Sequence, residues 1–498
     1  FLILFIAGIN FTNLTTSLIP LRLKTINTHR VLGCSIYKLQ AISLIESIVI
    51  CLISYILALF IVNDLSYTPI ANWVDADIRL SQYKGLILLT ALIAILTGCL
   101  AGLYPAIRST SYAPALVLKG SFGLSPKGKK VRVALIGFQY TVSIALIIVT
   151  LFMGLQNHFM TSSEQLGFNK DQVAIVNLTP EIYAKHKPQY IQKLKDYPGI
   201  EDVAFSVYEL SKEDDMIDLE YARHEDKDVF FKVFYASENF LSVMDIQVEE
   251  GRDFTREDLN KAQSDYIINP AAERDFHLHP GDRFNDRTVL GVSKDFRFNS
   301  CRIASSPFVF ALNNDIPNPK LVSYIRFNSK TNLQEAVAHV RETLKEIDPT
   351  FPFEISFYNT ILNNLYQKEQ TLGKLISLFG IMAILISIVG VFGLVLFETQ
   401  YRRKEIGIRK INGATTGQIL LMFNKTYIRI VSVCFIISIP IAWMGTQQWL
   451  ENFAYKTPLH LWVFIVAFLI ILSVTIGTVT FRNWQAANEN PVNSVKSE

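Results

Sequence analysis

RLKTINTHRVLGCSIYKL (22–39) and RRKEIGIRKINGATTGQI (402–419) carry one pattern twice. At an offset of 380, Arg22 meets Arg402, Lys24 meets Lys404, Ile26 meets Ile406 and Gly33 meets Gly413. His29-Arg30 meets Arg409-Lys410, and Val31 meets Ile411. A second pair lies further along, SYAPALVLKG (111–120) and NENPVNSVKS (488–497), in which Pro114 and Lys119 match Pro491 and Lys496. Self-similarity of this kind marks a structural repeat.

The stretches between these landmarks are apolar. A bilayer crossing needs about 20 mostly apolar residues in a helix. Seven stretches qualify: 1–19, 39–62, 85–107, 133–155, 375–397, 428–448 and 460–481. Each repeat is then span, basic loop, span, short outer loop, span and a Pro-containing tail, and the span at 133–155 leads into the second repeat. Two copies in one orientation imply a pseudo-two-fold axis along the membrane normal. The span at 39–62 contains Glu46, and a carboxylate there calls for a partner or an interfacial position.

Loop charge sets the orientation. Arg22, Lys24, Arg30 and Lys38 occupy 20–38, and Arg108, Lys119, Lys127, Lys129, Lys130 and Arg132 occupy 108–132, neither with an acid. Arg402, Arg403, Lys404, Arg409, Lys410 and Lys425 occupy 398–427. These loops read as cytoplasmic, the base-poor 63–84 and 449–459 as outer, and the C-terminus as cytoplasmic. The long segment 156–374 is then a folded extracytoplasmic domain. QVAIVNL (172–178), VAFSVY (203–208), VFFKVFYA (229–236) and VSYIRF (322–327) read as strands. PQYIQKLKDY (188–197) and LQEAVAHVRETLKEI (333–347) read as amphipathic helices. The expected class is a membrane α-helical protein with a large α+β extracytoplasmic domain of two lobes. Strand 322–327 and helix 333–347 return to the first strands, so that 236–319 is an inserted second lobe. The expected divisions are 1–120 for the first repeat, 121–155 for a cytoplasmic linker and the fourth span, 156–374 for the outer domain, and 375–498 for the second repeat.

Composition excludes several classes. Of 498 residues, 50% are hydrophobic and only 18% charged, against about 25% charged in soluble domains. Lys+Arg 47 against Asp+Glu 44 gives +3, which argues against a nucleic-acid partner. Of Cys34, Cys51, Cys99, Cys301 and Cys434, only Cys301 falls in the outer domain, so no disulfide forms within it. No metal-ligand spacing stands out, and no cofactor is expected. His277 and His279, beside Pro280, read as turn histidines. The acids Glu213, Asp214, Asp215, Asp218 and Glu220 read as a solvated loop. The chain opens inside an apolar run at Phe1, which reads as a fragment whose preceding residues would hold another span and outer domain.

The basic loop admits two readings. One is a positive-inside signal alone. The other is a short interfacial helix, with Arg402, Arg403, Arg409 and Lys410 around Ile406 and Ile408, that lies on the membrane or docks on a partner. Its duplication favours the second. Gly407 and Gly413 permit tight turns or close backbone approach.

RRKEIGIRKINGA, GLYPAIRSTSYAPALVLKG (102–120) and FQYTVSIALIIVTLFMGLQNHFMTSSEQLGF (138–168) resemble the FtsX/MacB permeases of ABC transporters, in their duplicated eight-span form. GRDF (251–254), YIINPAAERDF (266–276) and LGVSKDFRF (290–298) resemble the periplasmic core domain of the same family. The resemblance implies a non-catalytic permease in the inner membrane with its large domain in the periplasm. A separate cytoplasmic ATPase would drive it, for efflux or for lipoprotein or peptide handling. A periplasmic adaptor or outer-membrane channel would be a further partner. By position, the ATPase-docking residues would be Lys404, Glu405, Ile406, Gly407, Arg409, Lys410 and Gly413, with Lys24, Ile26, Arg30 and Gly33 in the first repeat. There Thr25 and Asn27 replace Glu405 and Gly407, which implies unequal sites. GLSPKGKK (123–130) has the P-loop spacing, but Lys130 stands where Mg²⁺ needs a hydroxyl, so a basic linker is the reading kept. The alternative is an FtsX-like signalling subunit that controls a periplasmic cell-wall hydrolase.

Overall fold

A computed structural model describes residues 2–68, 71, 83–112, 126–162, 166–211, 218–261, 263–297, 300–312 and 321–488. The chain divides into a membrane portion (1–154, 371–449 and 459–498) and a sheet domain (155–370 and 450–458). Most of both repeat tails, of the outer loop 63–84 and of the acidic stretch 213–215 lies outside the described residues.

The first repeat folds as α1 (Leu2–Val31), α2 (Ile36–Leu65) and α3 (Lys84–Thr110), followed by α4 (Pro126–Thr161). The second folds as α10 (Gln367–Tyr401), the short α11 (Arg403–Ile411), α12 (Thr416–Leu450) and α13 (Leu461–Asn488). Among the described residues six helices are long and apolar enough to cross a membrane, and α1 contributes a shorter apolar stretch, Ile3–Thr16. The expected basic loops are mostly helix. No proline interrupts the hydrogen-bond ladder in 21–31 or 403–411, so only a four-residue turn at 32–35 or 412–415 separates helices. The described part of the P-loop lookalike, Pro126–Lys130, opens α4.

Small residues set the spacing of α2 and α3. A Cβ on Gly98 would lie 3.0 Å from the Ile48 backbone, and one on Gly102 2.6 Å from the Ser47 side chain. Glu46 has its partner in Arg22 of α1, 2.7 Å away. In the second repeat α4 is bonded to α13 through Tyr140 and Thr475 (3.0 Å) and to α10 through Ser143 and Ser387 (3.0 Å). Such bonds hold helices together where lipid supplies no hydrophobic drive.

The sheet domain holds one eleven-stranded sheet among the described residues. Its strands are β1 (Val173–Leu178), β2 (Ile200–Ser206), β3 (Asp218–His224), β4 (Lys227–Ala236), β5 (Val248–Gly251), β6 (Tyr266–Ile268), β7 (Arg283–Phe284), β8 (Arg287–Ser293), β9 (Phe308–Leu312), β10 (Leu321–Phe327) and β11 (Ile355–Phe357). The order is β11-β1-β10-β2-β4-β9-β6-β8-β5, with β3 on β4 and β7 on β8. Period-two alternation gives the sheet two apolar faces. Ala174 and Val176 face a cluster with Tyr190 and Leu194 of α5 (Lys187–Lys195) and Val340 and Leu344 of α8 (Leu333–Ile347). Val173 and Ile175 face one with Phe240 of α6 (Phe240–Met244) and Tyr358 and Leu362 of α9 (Tyr358–Leu365).

As the sequence suggests, β10 returns to lie between β1 and β2. The halves of the sheet meet through one pair, Ser206↔Ala236. The second half starts earlier than the expected 236. β3 and β4 form a hairpin over Glu225 and Asp226, both at positive φ, and β4 takes β9 as its parallel neighbour. The domain also gains 450–458, a segment that the sequence reading left as a short outer loop.

The GRDF stretch has a structural account. Gly251 has φ 78°, and a Cβ there would meet the Leu290 carbonyl. The Arg252 guanidinium grips Asp258 at 2.7 and 2.8 Å, while Thr255 donates to Asp258 through its backbone N–H (2.9 Å) and its hydroxyl (2.8 Å). Arg252 above all holds the Asp258 carboxyl well below its usual 3.8. A carboxylate with a depressed folded-state value stabilises above its unfolded value and loses that contribution as pH falls. Asp258→Asn should cost about 1.5–3 kcal/mol at neutral pH, as for hydrogen bonds to a charged group. Its deficit should narrow as pH drops below 3.8, read by thermal unfolding in the near-UV circular dichroism. A deficit independent of pH would contradict this.

Candidate functional site

The two repeat turns match bond for bond. In the first, the Gly33 N–H donates to the Arg30 carbonyl (3.0 Å) and the Cys34 N–H to the His29 carbonyl (3.0 Å). In the second, Gly413 donates to Lys410 (3.0 Å) and Ala414 to Arg409 (2.9 Å). Both are Schellman closures, which need a left-handed residue at the first position past the helix. Gly33 has φ 90° and Gly413 φ 87°. The following helices are capped alike: the Lys38 N–H donates to Ser35 Oγ (3.4 Å) and the Gln418 N–H to Thr415 Oγ1 (3.3 Å). Val31 and Ile411 are equally exposed, 63% and 64%.

The second turn carries Arg409 outward. Lys404, Glu405, Ile406, Gly407, Arg409 and Lys410 all lie on α11, with Gly413 in the turn beyond. Ile406 and Gly407 are buried, while Ile408 and Ile411 are exposed. Glu405 pairs with Arg409 at 2.9 Å on the exposed side. Arg402 pairs with Glu398 at 3.0 Å, and the Tyr427 hydroxyl donates to Glu398 at 3.2 Å, which anchors the base of α11. Among the described side chains the surface presents the Glu405–Arg409 pair beside the exposed Ile408 and Ile411.

The first turn differs. Lys24, Ile26 and Arg30 lie on α1, which runs to Val31. Arg30 turns inward and donates to the Thr110 carbonyl (3.1 Å) and the Tyr112 carbonyl (2.7 Å) at the end of α3. Asn27 is fully buried and donates to the Leu23 carbonyl at 2.9 Å. The bases that look alike in sequence therefore do different work. Arg30 closes a helix end, where a cation is favoured, and Arg409, the counterpart of His29, pairs with Glu405 on the exposed side.

The sheet domain holds a second constellation that the sequence reading missed. The chain enters through Gln156, leaves through Tyr366 and Glu369, and returns through 450–458. Gln156 donates to the Tyr455 carbonyl (3.0 Å) and accepts from the Thr457 N–H (2.8 Å). The Tyr455 N–H donates to the Cys301 carbonyl (3.1 Å), and its hydroxyl accepts from the Ser305 N–H (3.1 Å). The Arg297 guanidinium stacks on the Tyr455 ring, 4.0 Å from its centroid. Arg302 pairs with Glu369 at 2.8 Å and lies over Phe453. The Tyr366 hydroxyl donates to Cys301 Sγ (3.3 Å), and burial pushes the thiol up. The signal was Phe453 and Tyr455, two aromatics in an otherwise polar loop.

The remaining sequence candidates are accounted for locally. His277 is a left-handed helix cap, and His279 lies 3.5 Å from Glu273. Glu250, Glu273 and His279 bring ligand atoms within 4.8 Å of one another, two of the three exposed. Glu220 accepts from the Tyr235 hydroxyl at 2.7 Å and does not sit in a carboxylate cluster among the described residues.

Removing the Tyr455 side chain takes away its cation–π contact and its hydroxyl bond. Tyr455→Ala should raise amide exchange across 450–458 and 297–305 at least tenfold, from about 1.5–3 kcal/mol of lost contacts. Exchange at the level of the parent would show that the segment is held elsewhere.

The model of the FtsX-like permease C-terminal family matches residues 1–114 and 377–491, one match per repeat. The chain is 25% identical over 212 residues to the macrolide export ATP-binding/permease protein MacB of Aggregatibacter actinomycetemcomitans, covering 40% of this chain and 32% of the relative. It is 25% identical over 223 residues to MacB of Neisseria gonorrhoeae, covering 42% and 34%. The matches thus span about a third of the length of these relatives. Among solved structures, the periplasmic region of MacB from Actinobacillus actinomycetemcomitans aligns with TM-score 0.30 and 15% identity, over 40% of this chain and 94% of that one. The extracellular domain of the ABC-type transporter YknZ aligns with TM-score 0.28 and 16% identity, over 37% and 98%. With its duplicated span–turn–span repeats, each matched by that family model, the chain is similar to the FtsX/MacB-type permeases.

Proposed function

We propose that this protein is the membrane subunit of an ABC transporter that passes the motion of a separate cytoplasmic ATPase to its extracytoplasmic domain. The observation that carries this reading is the duplicated turn. Two Schellman closures related by the repeat present matching apolar residues, Val31 and Ile411, at the ends of α1 and α11. A two-lobed ATPase assembly would engage both.

Under this reading the second turn is the principal dock. Glu405 offers a carboxylate to a basic ATPase groove, Ile408 and Ile411 bury into it, and Gly413 keeps the turn tight. Lys404, Ile406, Gly407, Arg409 and Lys410 form or support that surface. The first turn, with Lys24, Ile26, Arg30 and Gly33, docks more weakly, because Thr25 supplies no charge and Arg30 is already engaged on α3. Closure of the ATPase would draw the turns together as rigid bodies, a recognised route for transmitting ATP-driven shifts. Cargo would be handled by the outer domain, since the spans carry few ionisable groups for an internal pathway. The excess of bases near the turns supports a cytoplasmic position for the turns and the C-terminus, with the sheet domain outside. An adaptor or outer-membrane channel would complete an efflux assembly.

The test is co-purification with a MacB-like ATPase. Glu405→Lys with Gly413→Trp should abolish complex formation, and Thr25→Glu should strengthen the first site by up to tenfold. A normal complex from the double variant removes the docking assignment. Specific capture of a cell-wall hydrolase by the outer domain, with no transported cargo, would favour the signalling alternative.

A further inference from the structure

α1 and α10 meet at positions that the repeat makes equivalent. At the offset of 380, Asn10 corresponds to Gly390 and Asn13 to Gly393. The crossing brings Asn10 onto Gly390 and sets Leu14, beside Asn13, onto Gly393. A Cβ on Gly390 would lie 2.6 Å from Asn10 Oδ1 and 3.2 Å from Gln139 Oε1, and one on Gly393 would lie 2.5 Å from Leu14 Cδ1. The helices therefore touch where one copy carries a carboxamide and the other has no side chain.

The hydrogen bonding at this crossing is incomplete. Asn10 is 8% exposed and Gln139 2%. Asn10 Nδ2 donates to the Ile386 carbonyl at 3.0 Å, but Asn10 Oδ1 and Gln139 Nε2 have no partner. One is an acceptor and the other a donor, so they are complementary. A half-satisfied polar network is a poor way to glue helices; an apolar contact would hold better. The neighbours of Asn10 are α10 of the second repeat and α4, which is bonded to α10 through Ser143 and Ser387 and to α13 through Tyr140 and Thr475. α1 also has room on its flank. A groove of about 610 Å³ runs between Leu4, Phe5 and Ile9 of α1, Leu96 and Leu100 of α3, and Leu135 of α4.

We propose that the Asn10 carboxamide exchanges between two partners, the Ile386 carbonyl of α10 and the Gln139 carboxamide of α4, and that this exchange lets α1 pivot on the second repeat at Gly390. The two contacts use different atoms of the carboxamide, Nδ2 toward the Ile386 carbonyl and Oδ1 toward Gln139 Nε2, and in the structure only the first is made. Gly390 is needed because any side chain there would wedge α1 away from both partners. The inference rests on the helix crossing and is independent of the docking reading.

The experiment uses the full chain in nanodiscs, with Cys51, Cys99, Cys301 and Cys434 replaced by alanine. Spin labels on Cys34 and on Ala414→Cys report the distance between the two turns. The parent should give two populations. Gln139→Leu, which removes one partner, should leave a single narrow population, and Asn10→Leu with Gln139→Leu should do the same with an unchanged or raised thermal midpoint. The proposal is overturned if the parent shows one population, if Gln139→Leu leaves both, or if the double variant melts several degrees lower. That last result would make the pair a structural bond.

Discussion

A helix that leaves a bilayer must satisfy its last carbonyls before the chain can reverse, and in this protein that constraint is met twice in the same way. The carbonyls of His29 and Arg30, and those of Arg409 and Lys410, accept from the turn glycine and the residue after it. Only a left-handed residue allows this, so a glycine stands at each turn. The start of each following helix, its hydroxyl cap and the exposed residue just before the turn all follow from that geometry. The repeat is thus defined by its hydrogen bonds more sharply than by its residues.

The repeat, the spans and the turn positions were legible because each rests on a local rule: apolar length, positive loops, glycine past a helix end. The strands of the sheet domain were legible for the same reason, and the return of β10 to β1 followed from their order. What escaped was set by distant contacts. The short helix read into 402–413 forms as α11, but the stretch at 22–31 continues α1 where a loop was expected, since charge is no obstacle to a helix that continues into water. The docking surface looked duplicated, but whether an arginine faces outward depends on where the end of α3 falls, which no short stretch records. The division of the sheet domain was misplaced because β4 has a parallel partner, β9, more than seventy residues away in sequence.

The neck of the sheet domain was the least legible. Phe453 and Tyr455 sit in a short loop between two spans, and nothing nearby in sequence announces that Arg297 and Cys301 receive them. Their role follows from packing alone. A cation over an aromatic face and four backbone-directed hydrogen bonds on one short loop fix it firmly, and they do so with no charge of the loop's own. The GRDF stretch is the converse case, a recognisable motif whose residues close a strand end and cap a short helical turn.

Fusing the two repeats into one chain has an evolutionary consequence that the paired turns make visible. In a symmetric homodimer every substitution arrives twice, so a change that helps one side and harms the other cannot persist. Here Arg30 and Lys410 descend on separate tracks. Arg30 could be recruited to close the end of α3, and Asn27 could be buried beneath it, while Lys410 and Gly407 kept their own surroundings. Duplication within one polypeptide makes asymmetry heritable, and the two turns show how far two copies can diverge in side chains while their backbones stay superimposable in hydrogen bonding.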